Sequence, residues 1–480
     1  MNNKTSLYLV TVSFVATIGG FLFGYDTAII AGCNSFIQLH FQLTPVMLGW
    51  IVSSALLGTL AGCVISGTIT DRIGRKKSLI VAASSLGVSA IASMLIPQFL
   101  GNPDQALWLT SNTGFAFNML IIARVIGGIG VGITSVVAPV YISELSQPEN
   151  RGKIVSIYQL SITLGILLAF FIDWFVLNRA GDGAGVITNE ARGIWKWLFV
   201  EELWRGMFGT EIPIALLFFI LLFFIPESPR WLVTKGRHAE AMKTMISISG
   251  KELAETQMAE INEMVKTEKG GVRELFQPFL RMPLLIGILV PMFSHLSGIA
   301  AIMYFAPNII NEATQSVESS FLGAVLVGLV NSAFTFVAIL NIERFGRRKL
   351  LLTGVIGAFI SLTAVGVFFA IGSKLILIPL LMYVASFAFS YGPIVWVIIS
   401  EIFPNRIRGL AVSISSFSLL ATGFFITLTN PVLIDTISPS GTFFLYAGLT
   451  IPAIWFIWRF VPETKGKSLE DIEKFWREKP

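Results

Sequence analysis

Apolar runs long enough to cross a bilayer follow one another along the whole chain, separated by short polar interruptions. About twenty apolar residues cross a hydrocarbon core about 30 Å thick. Twelve such runs are present, roughly at 7–32, 46–70, 78–97, 114–138, 153–177, 205–225, 282–310, 319–341, 350–371, 374–400, 410–431 and 442–461. Lipid offers no water to a segment's N–H and C=O groups, so each run is predicted to be a helix. The expected fold class is an all-α membrane protein of twelve transmembrane helices. The first run contains Gly19, Gly20, Gly24 and Asp26 and lacks the compact apolar stretch and small-residue cleavage site of a signal peptide. It reads as a retained first helix.

Between the sixth and seventh runs the chain turns polar and helix-forming, which predicts a solvated cytoplasmic helical linker. The expected organisation is an N-terminal six-helix bundle at 1–225, the linker at 226–281, a C-terminal six-helix bundle at 282–461 and a cytoplasmic tail at 462–480. The two blocks echo one another. DRIGRKK at 71–77, after the second run, is answered by ERFGRRK at 343–349, after the eighth. SELSQPENRGK at 143–153 is answered by SEIFPNRIRG at 400–409, and PESPR at 226–230 by PETKG at 462–466. Three pairs in the same order predict a six-helix unit duplicated in parallel. Two-bundle transporters are built on that plan, with the solute site at the interface near the bilayer midplane.

Composition narrows the picture further. With 54% hydrophobic and only 13% charged residues, the chain departs from soluble domains, in which about 25% are charged. The loops after odd-numbered spans carry few bases, namely Lys374 and, after the fifth span, Arg179, Arg192, Lys196 and Arg205. The rest of the 34 Lys and Arg residues, except Arg124 within a span, fall on the opposite face. By the positive-inside rule both termini are cytoplasmic and the protein is a multi-pass protein of the plasma (inner) membrane. The pI near 9.1 is a topology signal, since no aromatic-interleaved basic patch accompanies it, and nucleic acid is excluded as a partner. Cys33 and Cys63 lack metal-ligand spacing and read as small buried residues. His40, His238 and His295, without a nucleophile motif, form no catalytic constellation. The chain is read as a non-enzyme without metal or cofactor, functioning as a monomer in the lipid bilayer.

The stretches FGYDTAIIAG, RVIGGIGVG, PESPRWL, YGPIVWVIISEIFP and VPETKGKSLEDIE, in this order, resemble the sugar porter family of the major facilitator superfamily, most of all its bacterial proton-coupled xylose symporters. The resemblance runs over nearly the whole chain. It implies proton-coupled symport of a monosaccharide, or a related small polar solute, by alternating access of the two bundles.

Charges at membrane depth are expensive and mark pathways or proton relays. Three stand out: Asp26 in the first span, Arg124 in the fourth and Glu211 in the sixth. An Asp beside an Arg stays ionised, and protonating it releases the Arg, a switch that a proton gradient can drive. The resemblance implies this role for the trio, and a neutral residue stands at the position of Asp26 in the family's passive facilitators. Asp173, near the outer end of the fifth span, is expected to be an interfacial charge. On the cytoplasmic turns, Asp71, Arg75, Glu144, Arg151, Glu227 and Arg230 in the first half and Glu343, Arg347, Glu401, Arg408 and Glu463 in the second are available for a gate. The resemblance implies that such ion pairs link the bundles in the outward-facing state.

Sugar binding asks for many neutral donors and acceptors, because each hydroxyl must replace its water. Here the sequence departs from the family pattern. In the seventh span Ser294 and His295 stand for a Gln pair, Ala300 for an Asn, and only Tyr304 remains of two Tyr, beside Phe305. Ile166 stands for a second Gln of the fifth span, and Leu419 and Leu420 for an amide and a Trp of the eleventh. The candidate pocket is Gln159, Ser294, His295, Tyr304, Asn331 and Trp396, less polar than a xylose site should be. Either the contacts with sugar are rearranged or the solute is less polar. The latter leaves a facilitator, an exporter or a transport-related sensor as the alternative reading. Gly298, Gly392 and Pro393 are expected to interrupt the seventh and tenth helices.

Overall fold

Apolar segments of this length can satisfy their backbone only within themselves, and the computed structural model of the chain does so with helices, containing no strand among the described residues. It describes residues 3–96, 112–145, 151–181, 196–251, 253–256, 258–259, 261, 272–404, 407–467 and 469–478. Eleven helical stretches are long and apolar enough to cross a membrane: Thr11–Phe41, Pro45–Ile73, Arg75–Met94, Gly114–Leu145, Ile157–Arg179, Leu203–Leu221, Pro278–Thr314, Val317–Phe345, Arg347–Ala370, Lys374–Ile402 and Gly409–Phe460.

The last of these holds two of the expected spans. Fifty-two residues in a straight helix would measure about 78 Å, far more than a hydrocarbon core. The chain instead turns back at Ser438, which takes a left-handed φ of 68° just before Pro439. Tyr446 donates to Asn430 Oδ1 at 3.0 Å, although a straight helix would hold these two residues about 24 Å apart. Twelve crossings are therefore present.

Three spans are broken, each for a local reason. The seventh breaks at Gly298, whose φ of 86° favours glycine, and again at Phe305 (φ −132°), where Pro307 offers no N–H to the carbonyl of Met303. The tenth breaks at Ser390 rather than at Gly392. Pro393 lacks a donor for the Phe389 carbonyl and its ring would strike it, which places the break before both expected residues. The sixth is split at Thr210 into Leu203–Gly209 and Glu211–Leu221.

Between the sixth and seventh spans the short helices Pro229–Thr234 and His238–Ser249 bury Trp231, Leu232, Ala241 and Met245 in a small core of their own. That core is tied to the second span, where Trp231 donates from its indole to the Asp71 carbonyl at 3.1 Å. The fold is thus two six-helix bundles with a helical insert.

Candidate functional site

Glycine brings the first and fifth spans into backbone contact. A Cβ at Gly24 would lie 1.8 Å from the Ile162 carbonyl oxygen, and one at Gly165 2.0 Å from that of Phe21. Small residues permit such approach between helices in lipid. It sets Asp26, two residues beyond Gly24, beside the inner face of the bundle.

Arg124 reaches Asp26 from the fourth span. Its Nη1 donates to Asp26 Oδ1 at 2.6 Å and its Nη2 to the Asp26 carbonyl at 3.4 Å. Both side chains are buried, 1% and 4% exposed. The guanidinium lies 5.7 Å over the Phe208 ring, and Glu211, also buried, feels the charges of both Asp26 and Arg124. Its Oε1 has no hydrogen-bond partner among the described residues. The split of the sixth span serves this arrangement: Thr210 Oγ1 shares a 2.6 Å hydrogen bond with the Tyr25 hydroxyl and seats Glu211 at the start of the following helix. The three charges singled out in the sequence thus form one buried cluster.

All six candidate solute residues, Gln159, Ser294, His295, Tyr304, Asn331 and Trp396, line one cavity between the two halves. So do Ile166, Ala300, Leu419 and Leu420, together with Ile162, Met303 and Phe387, and the wall is largely apolar. Polar groups that the sequence reading missed are Thr27, Thr163, Thr335 and Tyr391. Thr163 and Thr335 stand four residues beyond Gln159 and Asn331, on the same helix faces, and that spacing was the signal available. Tyr304 joins the cavity to the charge cluster: it lines the cavity together with Thr27, next to Asp26, and its carbonyl accepts from Asn34 Nδ2 at 2.8 Å.

The candidate gate residues form the same cluster twice. In the first half Arg75 pairs with Glu144 at 2.8 Å and with Asp71 at 3.8 Å. In the second Arg347 pairs with Glu401 at 2.9 Å and with Glu343 at 2.8 Å. Glu227 accepts from the Arg75 amide at 2.8 Å and the Lys76 amide at 3.2 Å. Glu463 accepts from those of Arg347 at 2.9 Å and Arg348 at 3.2 Å. A carboxylate at a helix N-terminus satisfies free amides and meets the positive end of the helix dipole. Each sits against a glycine, Gly74 or Gly346, where a Cβ would come within 2.2 or 2.6 Å of a carboxylate oxygen. Burial pushes the Glu227 carboxyl above its ordinary range, opposed by the amides of Ser228, Lys76 and Arg75. Arg230, in the helix Pro229–Thr234, is engaged as well. The side chains of Arg151 and Arg408 lie outside the described residues. Each of these ion pairs closes within its own half instead of linking the halves.

The halves meet at the end away from these charged turns. Asn308 donates to Ser35 Oγ at 3.2 Å, the Trp50 and Phe424 rings are 6.1 Å apart, and the Gly49 backbone lies against Leu428. Two charges differ from expectation. Asp173 is 1% exposed, its carboxyl packed on Gly32 rather than at the interface. Arg205, grouped with the loop bases, is fully buried and donates to the carbonyls of Ile96 at 2.5 Å and Met94 at 3.1 Å. It satisfies carbonyls left free at the end of the third span, stacked on Trp204 and Trp197.

The family model described as "Sugar (and other) transporter" matches residues 12–476. The chain belongs to the sugar transporter family. Among its relatives, the arabinose-proton symporter of Bacillus subtilis is 36% identical over 98% of this chain and 95% of its own length. The D-xylose-proton symporter of Escherichia coli is 35% identical over 99% and 97%. Among solved structures, the xylose transporter XylE from E. coli in a partially occluded inward-open conformation has a TM-score of 0.82 at 33% identity, covering 96% of this chain and all of that one. The inward-open conformation follows at a TM-score of 0.81. As a member of this family the chain is a multi-pass membrane transporter and not an enzyme.

Proposed function

We propose that this chain is a proton-driven symporter that imports a monosaccharide, xylose or glucose in kind, through the central cavity. The observation that carries the reading is the buried cluster of Asp26, Arg124 and Glu211, next to Thr27 in the wall of the cavity. An ion pair taken out of water is sensitive to the loss of one partner's charge. Protonation of Asp26 frees Arg124, and the six-helix lobes 1–225 and 282–461, linked by 226–281, rock about the solute. Gln159, Ser294, His295, Tyr304, Asn331 and Trp396 contact the solute. The charged turns with Asp71, Arg75, Glu144, Arg151, Glu227, Arg230, Glu343, Arg347, Glu401, Arg408 and Glu463 form the inner gate. The transporter works as a monomer in the plasma membrane with both termini in the cytoplasm. The symporters named among its relatives support the choice of sugar and proton.

The test is external pH in a weakly buffered suspension of proteoliposomes. Addition of D-xylose, D-glucose or L-arabinose is expected to alkalinise the medium as solute and proton enter together. Saccharide uptake without any proton movement refutes symport.

The apolar wall at Ile166, Ala300, Leu419 and Leu420 favours a second reading, transport of a less polar solute. A panel of pentoses, hexoses, polyols and hydrophobic cations separates the two by thermal stabilisation, because a ligand stabilises the folded state by mass action.

A further inference from the structure

Beyond the Tyr304–Phe305 step, where the seventh helix loses regular geometry, lies a second cavity on the outer side. Phe305 faces this cavity whereas Tyr304 faces the central one. Its lining is polar where the central wall is apolar. Gln38 comes from the first span, Asn308 and Asn311 from the seventh and Asn430 from the eleventh, with exposed Glu312 and Asp435. Phe369 and Phe443, stacked with centroids 5.5 Å apart, supply an aromatic wall.

Two amides identify the chemistry that fits. Asn430, 1% exposed, accepts from the Tyr446 hydroxyl through Oδ1, while its Nδ2 donor has no partner among the described residues. Asn308 donates to Ser35 through Nδ2, while its Oδ1 acceptor has none. Buried amide atoms without partners are unfavourable. A cation could serve the acceptor but not the donor. An anion could serve the donor but not the acceptor, and two carboxylates repel it. A hydroxyl both donates and accepts, and a molecule with several hydroxyls around an apolar ring face matches amides, carboxylates and aromatic rings together.

We propose that this outer cavity is a saccharide-binding site in its own right, the first station on the uptake side. The polar contacts missing from the central cavity are supplied there, and the solute passes the Tyr304–Phe305 step into the central cavity. The inference rests on the monosaccharide reading above and adds a second, sided site to it.

The test uses the full-length protein in right-side-out vesicles with D-xylose, D-glucose and L-arabinose. Asn430→Leu and Asn308→Leu are expected to raise KM for influx at least tenfold and to leave KM for efflux within twofold. Preserved efflux also shows that each variant is folded. Tyr446→Phe removes the hydrogen bond to Asn430 without removing the amide and is expected to change neither KM. Influx KM unmoved in both leucine variants, influx and efflux shifted alike, or Tyr446→Phe reproducing Asn430→Leu each overturns the outer site. So does protonated D-glucosamine entering with at least tenfold lower KM than D-glucose and losing that preference in Glu312→Gln, which marks a cation site. Failure of the wild type to carry any of the three sugars refutes the proposed function itself, and this inference with it.

Discussion

Replacing Asp26 by Asn tests the coupling mechanism with little change of shape. The amide keeps an oxygen for Arg124 Nη1, now 2.6 Å from the carboxylate, so the first and fourth spans remain hydrogen-bonded. What is lost is a charge that can be titrated, between side chains 1% and 4% exposed. Breaking a buried pair by removing one partner is worth about 3–5 kcal/mol. That is about a hundredfold or more in the balance between two conformations. Asp26→Asn is thus expected to resemble the permanently protonated transporter. Its consequence for accumulation follows from the driving force. One charge moving through 100 mV carries about 2.3 kcal/mol, which at about 1.36 kcal/mol per factor of ten supports roughly 50-fold accumulation of a neutral solute. Wild-type proteoliposomes with an imposed potential of 100 mV, inside negative, should approach that ratio for labelled sugar, and Asp26→Asn should stop near unity. Counterflow, which needs no net proton movement, should persist in the variant. Accumulation by Asp26→Asn close to the wild-type ratio would show that the coupling proton binds elsewhere and would refute this reasoning.

Four further outcomes are expected. Gly24→Ala places a methyl group 1.8 Å from the Ile162 carbonyl and should destabilise by about 1–3 kcal/mol through overpacking, read as a lower Tm; an unchanged Tm would show that the first and fifth spans part easily. Glu227→Ala and Glu463→Ala each strip two helix-terminal amides of a charged acceptor. They should lower stability by similar amounts, about 1.5–3 kcal/mol per charged hydrogen bond before water replaces it, and a large effect in one half only contradicts their equivalence. His295→Gln, in the wall of the central cavity, should tighten xylose or glucose binding in a thermal-shift panel if the native specificity has moved away from those sugars; unchanged binding removes His295 from recognition. Tyr304→Phe loses the hydroxyl but keeps the ring in the cavity wall and the carbonyl held by Asn34, and should shrink the pH dependence of sugar Kd; an undiminished dependence excludes the Tyr304 hydroxyl as the route.

The fold was legible because its cause is repetitive. Each span carries its own apolar length, and the three paired turn motifs carry the duplication in the sequence itself. Their contacts then proved alike, Arg75 with Glu144 and Glu227 repeating as Arg347 with Glu401 and Glu463. The charge cluster was legible for a related reason, since an isolated Asp or Arg at membrane depth has few tolerable environments. Arg205 escaped because a base two residues into a helix looks the same in sequence whether it faces water or caps a neighbouring helix. Asp173 escaped because depth along a helix does not say which face is turned inward. The break at Ser390 was displaced from Gly392 because a proline acts on the carbonyl four residues before it. The outer cavity was not legible at all: Gln38, Asn308 and Asn430 stand on three spans far apart in sequence, and only packing brings them together.

A transporter couples two ligands by making the same structural element answer to both, and the proposed mechanism gives that part to Tyr304. Its carbonyl is held by Asn34, on the same helix as Asp26. Its ring borders the central cavity, and its backbone precedes the irregular Phe305. A rigid helix there would resist displacement, but Gly298 and Pro307 have already removed the regular hydrogen bonds that a bend would break. On the proposed coupling, loss of the Asp26 charge would loosen the first span from the fourth, and the first span's hold on Tyr304 through Asn34 would transmit the shift to the wall of the cavity. A solute pressing on Tyr304 from either cavity drives the same displacement in reverse, as reciprocity of linked equilibria demands.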